Sequence, residues 1–173
     1  MTGHRNVLLL IGSAKQPGCS TSESLALYLS DRLVENGWAS QTLYVHSVLR
    51  TEARSLEMCS AVDRADLVVL AAPLYVDSLP YLVTSAMERI AEHRTSASAC
   101  IDAPSFVAVI NCGFPEAQHN DVALAICRQF SYAAGLRWAG GLSLGGGGFV
   151  HGAPLEECGS RAEGIRGELY QAA

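Results

Sequence analysis

The sequence is poor in charge and in aromatic side chains: Asp, Glu, Lys and Arg make up 17% of its 173 residues and Phe, Trp and Tyr 7%, against 49% hydrophobic residues. A chain this apolar does not stay disordered in water, and small and aliphatic side chains must fill its core. Its charges sum to −5. The clustered Lys and Arg that bind phosphate backbones are missing, so no nucleic-acid partner is expected. For an electron carrier that docks on basic partners this acidity is modest, and it leans toward an enzyme. Long apolar runs are also lacking: the first, Val7 to Ile11, falls far short of a membrane span. The six cysteines, at 19, 59, 100, 112, 127 and 158, include no C-x-x-C pair. That argues against a zinc ribbon or an iron–sulfur cluster, so no metal is expected. With no signal-peptide pattern at its start, the chain is expected to be a reduced, cytoplasmic protein rather than a disulfide framework.

Two nucleotide signatures are absent as well. A G-x-G-x-x-G fingerprint would need glycine where Ala14 stands. A P-loop needs four residues between its glycines and then lysine, whereas five separate Gly12 from Gly18 and Cys19 follows.

What is present is alternation of short apolar β-branched runs with longer amphipathic stretches, the pattern of βαβ units. Asn6 to Ile11 has no polar alternation and reads as a strand buried on both faces. After a polar loop, Ser20-Thr-Ser-Glu23 reads as a capping box, with Ser20 capping the Glu23 amide and Glu23 reaching back. The helix behind it sets Leu25, Leu29 and Leu33 on one face and stops at Asn36-Gly37. Gln41 to Val45 is a second strand, and Glu52 to Arg64 a helix with Leu56, Cys59 and Val62 inward. Asp66 to Ala72 is the third strand, stopped by Pro73. A helix follows from near Ser78 with Pro80 in its first turn, burying Leu82 or Val83, Ala86, Met87 and Ile90. Thr95 to Ala103 reads as a surface loop, and Ser105 to Ile110 as the fourth strand. A helix from about Ala117 to Ala134 turns Ala123, Ile126, Cys127 and Phe130 inward, and Trp138 to Leu144 is the fifth strand. Pro154 to Tyr170 could form a last helix, weakened by Gly159, Gly164 and Gly167.

With no repeat and no linker, residues 1–173 are expected to form one α/β domain: a three-layer, doubly wound, five-stranded parallel sheet. In the order 2-1-3-4-5, the loops after strands 1, 3 and 4 meet at one sheet edge, where such folds bind ligands. Those loops carry unusual chemistry. In the first, free amides at a helix start, hydroxyls of Ser13, Ser20, Thr21 and Ser22, and the charge of Lys15 suit a phosphate; a plain helix cap needs only one hydroxyl. In the second, Pro73, Leu74, Tyr75 and Val76 offer a stiff apolar surface for a planar heterocycle. The third, Asn111, Cys112, Gly113 and Phe114, forms a second wall: Gly113 permits close approach and Phe114 can stack. Cys112 with His119 as base would make a nucleophile, but no acid orients the histidine, and a buried inert cysteine is the better reading. Gly145 to Gly148 either approaches the ligand or merely turns the chain.

The segments IGSAKQPGCSTSESLA, APLYVDSLP, NCGFPEAQHNDVALAICRQF and GLRWAGGLSLGGGG resemble those of the flavodoxin-like NAD(P)H-dependent oxidoreductases. That group includes NADPH-dependent FMN reductases and iron–sulfur flavoproteins. The resemblance implies a flavodoxin-like fold, with the FMN phosphate held by Ser13, Lys15, Ser20 and Ser22 and by the Thr21 backbone. It places the isoalloxazine ring between Pro73 to Val76 and Asn111 to Phe114. It implies hydride transfer from NAD(P)H (NADP or NAD) through flavin to a quinone, a free flavin or another electrophile, in a homodimer, with no dedicated catalytic acid or base. Two departures stand out: the cluster cysteines are missing, and Lys15 stands where many relatives carry arginine, which loses the bidentate fork. The same fold also serves non-enzymatic electron-transfer flavodoxins and flavin-less binding modules.

Overall fold

In a computed structural model, which describes residues 5–96 and 103–173, strand β1 (Asn6–Ile11) feeds two cores at once. Successive side chains of a strand point to opposite faces, so an unbroken apolar run must be covered on both. Leu8 and Leu10 enter one cluster, while Val7, Leu9 and Ile11 enter the other. Strand β3 (Leu67–Pro73) divides in the same way, as does β4 (Ser105–Asn111).

With β2 (Ala39–Tyr44) and β5 (Arg137–Leu144), these strands form a five-stranded sheet in the order β2-β1-β3-β4-β5, every pairing parallel. One face is covered by α1 (Thr21–Glu35), which buries Leu25, Leu29 and Leu33, and by α6 (Glu163–Ala172), which buries Ile165 and Leu169. The other face carries the short α2 (Val45–Val48), α3 (Glu52–Arg64), α4 (Tyr81–Ser96) and α5 (Asp121–Ala133). There Phe106 anchors an aromatic group, its ring 5.3 Å from that of Phe130 and 5.9 Å from that of Trp138.

The expected order and every expected strand are present, and the differences are local. In α3 the inward face is Ser55, Met58, Cys59, Ala61 and Val62, and Leu56 is 51% exposed rather than buried. The i, i+3, i+4, i+7 row through Ser55 wins because Met58 fills the core and the Ser55 hydroxyl donates to the Val48 carbonyl at 3.3 Å. Helix α4 begins at Tyr81, so Pro80 precedes it instead of lying in its first turn. Of the two alternatives there, Val83 is buried and Leu82 is only packed against the core. A 3₁₀ turn, Ala117–Asn120, precedes α5, and Ile126 is only half-buried. The weak last helix is broken: a 3₁₀ segment, Leu155–Ala162, is interrupted at Gly159 (φ 65°, ψ −156°) before α6 begins. Thr95 and Ser96 finish α4, and the rest of the expected surface loop, residues 97–102, lies outside the described residues.

Among the described residues Cys19, Cys59, Cys112, Cys127 and Cys158 are free thiols. No helix there is long and apolar enough to cross a membrane.

Candidate functional site

At the carboxyl end of the sheet the chain leaves β1 through Gly12, whose amide donates to the Ala71 carbonyl at 2.8 Å. A Cβ there would lie 2.5 Å from Val83 Cγ2 and 2.9 Å from Ala72 Cβ, so only glycine lets the loop turn against β3 and α4. The loop ends at Ser20, the N-cap of α1, in extended conformation (φ −128°, ψ 138°), with its Oγ accepting from the Glu23 amide at 3.2 Å.

The other half of the expected capping box does not form. The Glu23 carboxylate passes Ser20 and accepts from the Gly18 amide at 2.7 Å, while its other oxygen accepts from the Tyr44 hydroxyl at 2.5 Å. The Ser20 N–H consequently has no acceptor among the described residues, and neither do those of Thr21 and Ser22, because the first turn of a helix offers them none.

The hydroxyls expected together have separate tasks. Thr21 donates to the Gly147 carbonyl at 2.8 Å, and Ser22 to Asn111 Oδ1 at 2.7 Å. Those of Ser13 and Ser20 only accept, from the Lys15 and Glu23 amides, so their protons remain available. Ser22 and Thr21 thus tie the helix start to the loops after β4 and β5. Further bonds complete the rim: the Leu74 amide donates to the Asn111 carbonyl at 2.8 Å and the Gly147 amide to the Cys112 carbonyl at 2.8 Å.

These loops enclose an open cleft of about 220 Å³. Its anion-friendly end is made by Ser13, Lys15, Ser20, Thr21 and Ser22. Pro73, Leu74 and Tyr75 form one wall and Asn111, Cys112 and Gly113 the other. Gly147 and Gly148 close the third side, so part of the glycine run lines the cleft. A Cβ on Gly145 would fall 2.2 Å from the Pro115 carbonyl oxygen, so the run must also be glycine to pass the third loop.

Two expected residues do not line the cleft. Val76 is 98% exposed at the tip of a two-residue turn whose flanks, Tyr75 and Ser78, exchange hydrogen bonds of 2.8 and 3.0 Å. Val76 and Asp77 both hold positive φ (47° and 57°), a conformation that aims their side chains outward and is costly for a β-branched residue. Phe114 is 54% exposed and packs its ring against that of His119, centroids 4.5 Å apart and planes tilted by 36°, instead of on the cleft. That contact also holds His119 away from the cysteine. It lies against Phe114, with its Nε2 3.9 Å from the Glu116 carboxylate, while the buried Cys112 thiol donates to the carbonyls of Phe114 (3.4 Å) and Glu116 (3.8 Å). With its thiol turned to these two carbonyls and no base beside it, Cys112 serves as part of the cleft wall.

Sequence reasoning missed two side chains that shape this rim. Asn120 precedes α5, where an asparagine signals a cap, yet its amide donates to the Ile110 and Leu144 carbonyls (3.4 and 3.3 Å) and to Ser143 Oγ (2.9 Å). It clamps the ends of β4 and β5, which no local pattern announces. Tyr44 closes β2 beside Glu23. Burial first, then the hydrogen bond and the neighbouring carboxylate, push its pKa up to about 12, so it stays a donor.

Chemically, the cleft offers free amides, two free hydroxyl protons and a lysine at one end, and a flat, largely apolar slot at the other. It suits an anion joined to a planar ring.

No protein-family model and no curated protein sequence matches the chain. Solved structures do resemble it. An azoreductase from Bacillus anthracis str. Sterne superposes with a TM-score of 0.66 at 12% identity, over 96% of this chain and 99% of that one. An NAD(P)H:quinone oxidoreductase from Methanothermobacter marburgensis gives 0.68 at 15% identity, over 98% and 94%. A Streptococcus pneumoniae TIGR4 flavodoxin gives 0.60 at 14%, over 97% and 99%. Across such distances it is the architecture that is shared, and the chain has the flavodoxin-like fold.

Proposed function

We propose that the cleft holds FMN and that the protein is an NAD(P)H-dependent flavin oxidoreductase acting on a small acceptor such as a quinone, a free flavin or another electrophile. One observation carries the reading: unpartnered Ser20, Thr21 and Ser22 amides stand at the start of a 15-residue helix, inside a cleft walled by the loops after β3 and β4. Helix-start amides and the helix dipole favour a phosphate dianion there. The residues fit the group. Ser13 and Ser20 would donate to phosphate oxygens and Lys15 would balance their charge. Pro73 to Tyr75 and Asn111 to Gly113 would flank the ring and keep water from it. The Asn111 side-chain amide, its oxygen already taken by Ser22, has its N–H groups to offer the ring's polar edge.

About 220 Å³ is less than the roughly 300–1,000 Å³ of a closed ligand pocket. Part of the ligand would stand clear of this chain, where a nicotinamide can stack or a second copy can complete the site; we take the protein to be a homodimer on that ground. A bound flavin would supply the two-electron chemistry, taking hydride from NAD(P)H and handing it to the acceptor. The chain contributes position and exclusion of water, with no acid or base of its own. Free thiols suit a reduced, cytoplasmic setting. Fold neighbours described as an azoreductase, an NAD(P)H:quinone oxidoreductase and an NADH:FMN oxidoreductase support the reaction type.

The visible spectrum of the purified protein, before and after anaerobic NADH or NADPH, tests the reading. The expected result is a bound-flavin spectrum that either nucleotide bleaches. Protein that stays colourless after incubation with FMN overturns it. Flavin that dithionite reduces but neither nucleotide does would make the protein an electron carrier, as a flavodoxin neighbour of the same fold allows.

A further inference from the structure

We infer that Glu23 is a positioning residue for phosphate binding: by holding the Gly18 amide it shapes the first loop so that the Ser20 amide stays open to a ligand beside those of Thr21 and Ser22. The inference rests on the cleft being an FMN site.

Glu23 is 5% exposed and forms no ion pair among the described residues. An unpaired buried carboxylate beside an anion site is costly twice over, through desolvation and through repulsion of the ligand. Its two hydrogen bonds give it a task. The Tyr44 hydroxyl (2.5 Å) anchors one oxygen to the end of β2, and the other draws in the Gly18 amide (2.7 Å). Gly18 holds φ +79°, and on its far side a Cβ at Gly152 would be only 2.4 Å from the Gly18 carbonyl oxygen. Gly18 is therefore held at its amide by a carboxylate and crowded at its carbonyl by a glycine that nothing larger can replace. Had Glu23 closed the capping box, its oxygen would occupy the Ser20 amide and take one donor from the ligand. Held by Gly18, it leaves all three.

Binding of FMN and of riboflavin, followed by fluorescence quenching, separates this role from a general one, since the two ligands share the ring and differ at the phosphate. The wild type should prefer FMN. Glu23→Ala should lower that preference about tenfold, the scale of one charge-assisted hydrogen bond, with riboflavin affinity unchanged. Glu23→Gln keeps an oxygen for the Gly18 amide and should restore the preference. Glu23→Met, of similar length and apolar, serves if the alanine variant does not fold, with the same expectation. A wild-type preference in the Ala or Met variant, or an equal loss for both ligands, overturns the inference. A wild type that does not distinguish FMN from riboflavin overturns the FMN reading itself, and this inference with it.

Discussion

Tyr44 and Cys127 show how single residues set the behaviour of the fold toward alkali. Burial and the neighbouring Glu23 carboxylate hold the Tyr44 hydroxyl at about 12, up from 10.0; burial alone lifts the Cys127 thiol from 9.0 to about 12. Each group therefore binds its proton more tightly folded than unfolded. Below its unfolded value both states keep the proton and the contribution to stability is complete; above it, only the unfolded chain ionises, and stability is lost toward pH 12. Thermal melts should show no pH dependence from these two groups near neutrality and a decline from pH 9 upward. Tyr44→Phe should flatten the part above pH 10, and an unchanged slope in that variant would contradict the assignment. At the cleft, Lys15→Ala combined with Ser20→Ala should weaken FMN binding by about 2–4 kcal/mol, measured by fluorescence titration. Unchanged retention would mean that the phosphate sits elsewhere. Most of these cleft residues were legible one by one, because hydroxyls, lysine and proline carry their chemistry wherever they fall. Glu23 was legible only as a helix-start residue and Asn120 not at all; where their side chains reach depends on Gly18, Tyr44 and two strand ends that local spacing does not encode.

Elements were the most readable scale. Period-two burial on both faces in β1, β3 and β4, and period-3.6 faces in α1 and α4, follow from which side chains avoid water, and the core clusters obey them. Errors fell where a helix has two plausible faces, as in α3, and where glycine or proline moves an end by a few residues, as at Tyr81 and Gly159. The contacts between element ends were not readable at all. Asp63 of α3 binds His93 at 2.9 Å and also pairs with Arg94 of α4, whose Nε donates to the Ala134 carbonyl behind α5 at 2.7 Å. This network joins three helix ends at the sheet edge opposite the cleft. Arg94→Leu should therefore cost about 2–3 kcal/mol in urea unfolding, since it leaves Asp63 with His93 alone and takes a donor from the Ala134 carbonyl. FMN affinity should stay as in the wild type; a parallel loss of affinity would show that the two edges are coupled.

For the whole molecule, a shared sheet joins two cores, and the two tryptophans report on them separately: Trp138 packs against the cluster under α3, α4 and α5, and Trp38 against that under α1 and α6. Trp38→Phe and Trp138→Phe leave one reporter each. If residues 1–173 are a single cooperative domain, fluorescence in both variants should follow one urea transition with a common slope. Midpoints that separate beyond the cost of the substitution would indicate two units. The sequence by itself determined a doubly wound parallel sheet and the edge at which the chemistry gathers, since doubly covered strands and right-handed crossovers leave few other arrangements. Only the tertiary structure decided which donors stay free. Thr21 and Ser22 spend their hydroxyls on Gly147 and Asn111, Val76 and Phe114 turn away from the cleft, and Gly147 and Gly148 move into it. The physical reason is that a hydrogen bond is a choice among partners, and those partners come together only when loops up to 126 residues apart in the chain meet at one sheet edge.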